Sequence, residues 1–116
     1  MKNSSLKIKS KLWIVDQEDT FLGEGRIRLL KAIEEYGSIT KAAGSMKMSY
    51  LKAWKLVQSM NRTAGKELVI KTSGGKGGGG TTLTKKGKSA IEMYQKLNNS
   101  CQQFLDVEFE KLMKDF

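Results

Sequence analysis

The sequence predicts a mainly α fold carrying small β-hairpins, on three observations. Between Gly25 and Thr63 apolar residues recur at helical spacing in consecutive blocks punctuated by Gly37 and Ser49. Two β-prone runs, Leu68-Val69-Ile70 and Thr81-Thr82-Leu83, flank a glycine-rich loop. From Thr84 a last helical pattern runs on to Phe116. A chain of 116 residues is long enough for one domain and too short for two ordinary ones, so residues 1–116 are expected to form a single unit.

The elements follow in order. Leu6 to Asp16 (LKIKSKLWIVD) alternates roughly, with Ile8, Leu12 and Ile14 against Lys7, Lys9 and Lys11, and reads as a strand. Gln17 to Thr20 is a polar turn, from which Phe21-Leu22 returns as a short second strand. Gly25 to Tyr36 carries Ile27, Leu30 and Ile33 in one helical stripe, and Gly37 ends it. Ser38 is the natural N-cap of a second helix reaching about Met46. Ser49 caps a third, longer helix to about Thr63, with Gly65 as its stop.

The last helix, about 84–116, would be close to ~50 Å long at ~1.5 Å per residue. Tyr94, Leu97, Cys101, Phe104, Leu105, Phe109 and Leu112 fall along it at spacings of three and four. A helix that long cannot bury its stripe against so small a body. A second subunit is the expected cover, making this the dimerisation helix of a homodimer. Cys101 on that seam is expected as a buried apolar thiol.

Charge narrows the function. From Gly37 to Ser89 there are eleven Lys/Arg and one acid, Glu67, a net of +10, whereas the other residues net −1. A basic helix pair beside a basic loop is the electrostatic footprint of a double-helix reader. The absence of histidine removes the commonest general base and the commonest metal ligand together. With one cysteine besides, neither an enzyme nor a structural zinc site is expected. No apolar run approaches the ~20 residues that span a bilayer, and the N-terminus lacks the apolar segment of a signal peptide. A cytoplasmic protein without cofactor or membrane partner is the expectation, and the lone cysteine fits a reducing compartment.

Placed at about 100° per residue, the third helix is two-sided. Ala53, Leu56, Val57 and Met60 cluster on one side, with Tyr50 and Trp54 at its margin. Lys52, Lys55, Gln58, Ser59 and Arg62 occupy the other. The first half of such a helix can enter the major groove, where lysine meets guanine O6/N7 and an apolar group meets a thymine methyl. Leu51 lies among the polar residues, either as such a methyl contact or as an ordinary surface leucine. Ala42 and Ala43 let the second helix cross the third closely, and Thr40 and Lys41 stand where that helix would meet phosphate, a solvated surface charge being the other reading of Lys41.

The loop Ser73 to Gly80 holds six of the twelve glycines. Gly75-x-Gly77-x-x-Gly80 matches a dinucleotide fingerprint formally, but that motif must open a helix and here precedes a β-prone run. No Gly-Lys is followed by Ser or Thr, so the phosphate-loop pattern fails too. A linker is the plainer reading, yet β-prone flanks favour a hairpin whose glycines let it approach sugar-phosphate, with Lys76 adding charge. The whole is then a winged helix-turn-helix with a long C-terminal dimerisation helix.

These residues resemble the N-terminal DNA-binding domain of the ModE family of molybdate-responsive regulators, which belongs with the LysR-type winged helices. The matching pieces are Gly25-Arg26-Ile27-Arg28-Leu29-Leu30, Gly37-Ser38-Ile39 with Ala42-Ala43, Met48-Ser49-Tyr50 and Ala53-Trp54. Ser73-Gly74-Gly75 through Gly77-Gly78-Gly79-Gly80 and Leu83-Thr84-x-x-Gly87 complete the set. The likeness runs from about Leu12 to Tyr94. It implies a recognition helix beginning near Ser49, a wing at the glycine loop, and DNA contacts from Ser49, Tyr50, Lys52, Lys55 and Lys76.

Three departures accompany it. Full-length members carry a molybdate-binding region, which this sequence does not include, so no molybdate cofactor is expected. Lys47 stands where the family usually has a glycine with positive φ, and Leu51 where a basic residue is common. The expectation is a sequence-specific DNA-binding transcriptional regulator acting as a homodimer on double-stranded DNA. The alternative is a winged-helix protein-interaction module with weak, non-specific DNA binding.

Overall fold

A computed structural model describes residues 5–72 and 80–116. Two strands, β1 (Trp13–Asp16) and β2 (Asp19–Gly23), form an antiparallel hairpin pairing Trp13 with Gly23 and Ile14 with Leu22. Helices α1 (Glu24–Tyr36), α2 (Ile39–Ser45) and α3 (Tyr50–Ala64) follow. A second hairpin of β3 (Val69–Thr72) and β4 (Gly80–Leu83) leads into α4 (Lys85–Asp115). The architecture is the mainly α winged helix-turn-helix that the sequence predicts.

Local chemistry sets the boundaries. Gly37 and Gly65 close α1 and α3 in the left-handed region, at φ 65° and 72°. Ser38, Ser49 and Thr84 each accept a backbone N–H from three residues on, capping α2, α3 and α4. The core fills the space between these elements: Leu22, Leu29, Leu30, Ile33, Val57, Met60 and Leu68 are almost wholly buried. Ala42, Ala43 and Ala53 bury the close crossing of α2 and α3.

The start of α4 is locked onto the wing's root. Thr84 donates its N–H to the Leu68 carbonyl (2.9 Å) and its hydroxyl to that of Glu67 (2.7 Å). A Cβ at Gly87 would collide with the Leu68 carbonyl oxygen, so only glycine allows this approach. Beyond Tyr94 no residue of α4 is fully buried, and the helix stretches the molecule to 63 × 28 × 23 Å.

Two expectations need correction. The strand foreseen over Leu6–Asp16 begins only at Trp13. Residues 8–12 instead form a strap along α4: Gln102 Nε2 donates to the Ile8 carbonyl (2.8 Å) and the Tyr94 hydroxyl to that of Leu12 (2.9 Å). Ile8, Ser10 and Leu12 are the half-buried positions of this strap, which among the described residues has no strand partner. Tyr94, foreseen on the dimer seam, is 5% exposed and belongs to the core of its own chain. Burial first, and Glu24 second, raise its phenol pKa above the ordinary value.

Candidate nucleic-acid interface

The helix pair is built on a tight turn. Met46, Lys47 and Met48 donate their N–H groups to the Ala43 and Gly44 carbonyls, which swings the chain from α2 into α3. Lys47 takes the left-handed conformation at φ 55°, so the geometry usually given to glycine is met here by a lysine at a local conformational cost. Ser49 then caps α3 through the N–H of Lys52 (3.1 Å).

Helix α3 divides as its spacing predicts. Ala53, Val57 and Met60 are buried and Leu56 half-buried, while Tyr50, Leu51, Lys52, Lys55, Gln58 and Arg62 are exposed. Leu51 is 58% exposed, beyond what a core leucine shows. Among the described residues the one salt bridge is Lys111–Glu108, far along α4, so the α3 cations keep their charge free of contact carboxylates. Ser59 is placed differently: half-buried, it accepts a hydrogen bond from Arg26 Nη1 (3.1 Å) and braces α1 against α3. Burial lowers the Arg26 pKa, against the opposing pull of Asp19.

The wing's root is fastened to the same helix. Asn61 Oδ1 accepts the N–H groups of Leu68 (2.7 Å) and Val69 (3.2 Å), and its Nδ2 donates to the Val69 carbonyl (3.1 Å). Thr81 N–H donates to the Gly37 carbonyl (2.9 Å), joining β4 to the corner between α1 and α2. Lys71 of β3 holds its ammonium 4.5 Å from the centre of the Trp54 ring. Thr40 and Tyr50 come together with Lys71 and Thr72 around a cleft of about 310 Å³. Lys41, at the start of α2, is exposed. Lys76, with the loop from Ser73 to Gly79, lies outside the described residues.

On α4 the apolar residues separate into two rows. Cys101, Leu105 and Phe109 are half-buried, with the strap on that flank bringing Ser10 Oγ to 3.9 Å from Cys101 Sγ. Leu97, Phe104 and Leu112 are exposed. Met93 and Val107, which the reading of threes and fours passed over, are exposed as well. Met93, Leu97, Ser100, Phe104 and Val107 are spaced four, three, four and three, a heptad row on one side of the helix. Lys71 was missed because its pairing with Trp54 spans seventeen positions and leaves no local pattern.

Fold and site together define a winged helix-turn-helix domain. The chain belongs to the family described as bacterial regulatory helix-turn-helix protein, lysR family, whose pattern covers residues 25–88. It is 44% identical over 93 residues to the molybdenum transport protein ModE of Azotobacter vinelandii, covering 80% of this chain and 34% of that protein. It is 37% identical over 100 residues to the transcriptional regulator ModE of Haemophilus influenzae, covering 86% and 38%. The DNA-binding transcriptional dual regulator ModE of Escherichia coli K12 shares 40% over 91 residues, 78% and 35% of the two chains. The chain thus spans about a third of the length of these relatives.

Among solved structures, the CbnR_DBD–DNA complex aligns with a TM-score of 0.56 at 17% identity, over 76% of this chain and 95% of that one. The BenM_DBD/benA site 1 DNA complex aligns at 0.53 and 21% identity, over 77% and 95%. At such identities the likeness is one of fold. Among the described residues, no helix is long and apolar enough to cross a membrane.

Proposed function

We propose that this chain binds double-stranded DNA as a homodimer and regulates transcription from the sites it occupies. The single observation that carries this reading is the outer side of α3. It presents Lys52, Lys55 and Arg62 with exposed Tyr50 and Leu51, and no acidic residue interrupts the helix. In this reading the start of α3 enters the major groove, and the wing over 73–80 lies on the backbone or minor groove. Ser49, Tyr50, Leu51, Lys52 and Lys55 face bases and phosphates near the tip, Thr40 and Lys41 meet phosphate from α2, and Arg62 reaches the backbone further along. Phosphate neutralisation supplies most of the affinity, and the few groove-facing side chains the specificity. The relatives named as ModE transcriptional regulators, and the DNA complexes that share the fold, support the reading.

The dimer in this reading forms through the heptad row of α4, Met93, Leu97, Phe104 and Val107 meeting the same residues of a second copy around Ser100. Those four apolar side chains are exposed in the single chain, and a two-fold axis would cover them all at once.

Fluorescence anisotropy at several salt concentrations tests the DNA contact. Lys52→Ala or Lys55→Ala is expected to weaken binding by about 1–3 kcal/mol and to relax specificity where the side chain reads a base. Unchanged binding in both variants removes α3 from the interface. Affinity that is sequence-blind and abolished near physiological salt identifies a protein-interaction module instead.

A further inference from the structure

We propose that Lys71, in strand β3, is a DNA phosphate-gripping residue, and that Trp54 of α3 is the residue that positions it. The proposal rests on the duplex-binding reading and adds a contact outside α3 and outside the glycine loop.

Geometry singles out this lysine. A lysine side chain on a short strand ordinarily samples many rotamers, and each one frozen on binding costs entropy. Here the ammonium already lies 4.5 Å from the Trp54 ring centre, so the quadrupole of the ring draws the charge toward α3 before any ligand arrives. The ring itself is half-buried against the core and therefore fixed.

The cleft beside Lys71 is lined for an anion. Its polar lining residues are Ser38, Thr40, Tyr50, Lys71, Thr72 and Thr81, all with side chains able to donate, and none of the described residues lining it is acidic; Glu67 lines the neighbouring cleft that Lys71 shares with Trp54. Ser38 Oγ already accepts the N–H of Lys41 (3.1 Å) and Thr72 Oγ1 that of Gly80 (3.1 Å). Each hydroxyl accepts with one lone pair and donates to no described residue, so its proton can turn to an incoming oxygen. A phosphodiester brings two non-bridging oxygens, which several converging donors and one cation can hold together.

Both walls of the cleft are fixed in advance. Asn61 ties the root of β3 to α3 through three hydrogen bonds, and Thr81 ties β4 to the Gly37 carbonyl. The seat therefore moves as one body with α3. A phosphate held there would set how deeply the first turn of α3, with Tyr50 and Leu51, enters the groove.

The test is a salt titration of duplex binding by the full chain, followed by anisotropy. Lys71→Gln is expected to weaken every duplex alike, about fivefold at 0.15 M salt, and to lower the slope of log K against log salt by about one. Trp54→Leu is expected to lose part of that effect and to add little to Lys71→Gln in a double-mutant cycle. Trp54→Phe, which keeps a ring and the core contact, should lose less; melting curves confirm that each variant is folded. An unchanged slope in Lys71→Gln, while Lys52→Ala weakens binding, overturns the proposal and leaves the α3 reading intact. A change in base preference in Lys71→Gln assigns it a base contact and overturns the phosphate seat. Absence of duplex binding by the unaltered protein at low salt overturns the seat and the DNA reading together.

Discussion

Residues 24–94 and residues 95–115 are both largely helical, yet they treat their apolar side chains in opposite ways. In the first region α1, α2, α3 and the start of α4 turn their apolar faces on one another and bury them. In the second, Leu97, Phe104, Val107 and Leu112 stand in solvent on a helix that has outrun its body. The difference lies in length, since the apolar spacing is helical in both. A stripe of thirteen or fifteen residues finds a neighbour within a small domain, whereas α4 at thirty-one does not. The first region is stabilised by its own chain, and the second carries apolar side chains that its own chain leaves uncovered.

The same truncation in both regions tests that contrast most severely. Leu30→Ala, at a fully buried position, is expected to lower the unfolding free energy by about 3–4 kcal/mol in urea titrations. Leu112→Ala, at 68% exposure, should stay within about 0.5 kcal/mol in dilute protein. Equal losses would erase the distinction between the two regions.

Phe104→Ala sharpens it from the other side. Sedimentation equilibrium is expected to show the dimer dissociation constant raised about thirtyfold, equivalent to about 2 kcal/mol, while the folded body is retained. A smaller effect, and of opposite sign, is expected from Lys47→Gly. Relieving a left-handed lysine in the turn before α3 should raise the melting free energy by about 1 kcal/mol, and no gain would mean that the turn carries no strain.

The last prediction concerns pH, at the boundary between the regions. The Tyr94 phenol has a folded-state pKa above its ordinary value of 10.0, chiefly through burial. Folding therefore favours the protonated form, whose contribution is complete below pH 10 and is lost as pH climbs through the raised value. Ionisation also removes the proton donated to the Leu12 carbonyl, so the strap should loosen in the same window. Alkaline melts of Tyr94→Phe should be flatter above pH 10 than those of the parent; parallel curves would assign the alkaline loss elsewhere.

How much of this was legible in the sequence depends on how local each signal is. Gly37, Ser38, Ser49, Gly65 and Thr84 fixed the ends of four helices because capping chemistry acts over three or four residues. The two sides of α3 were legible for the same reason, one helix face being set by its own periodicity. Leu6–Lys11 misled because alternation records which side is covered and not by what; a helix covers it here. Tyr94 misled because a stripe of threes and fours on α4 passes from the body onto open helix without a break in pattern. The heptad row beside it, with Met93 and Val107, emerged only once the strap had been seen to occupy the other flank. The Lys71–Trp54 contact and the engagement of Ser59 by Arg26 join separate elements, and no spacing rule reaches across those gaps.

Selection of bound duplexes from a random library by the purified chain tests the central claim most directly. Two α3 helices carried on a two-fold α4 seam should recover an inverted repeat, its half-sites about one helical turn, or roughly 34 Å, apart. Recovery of unrelated sequences with no shared half-site would contradict the account.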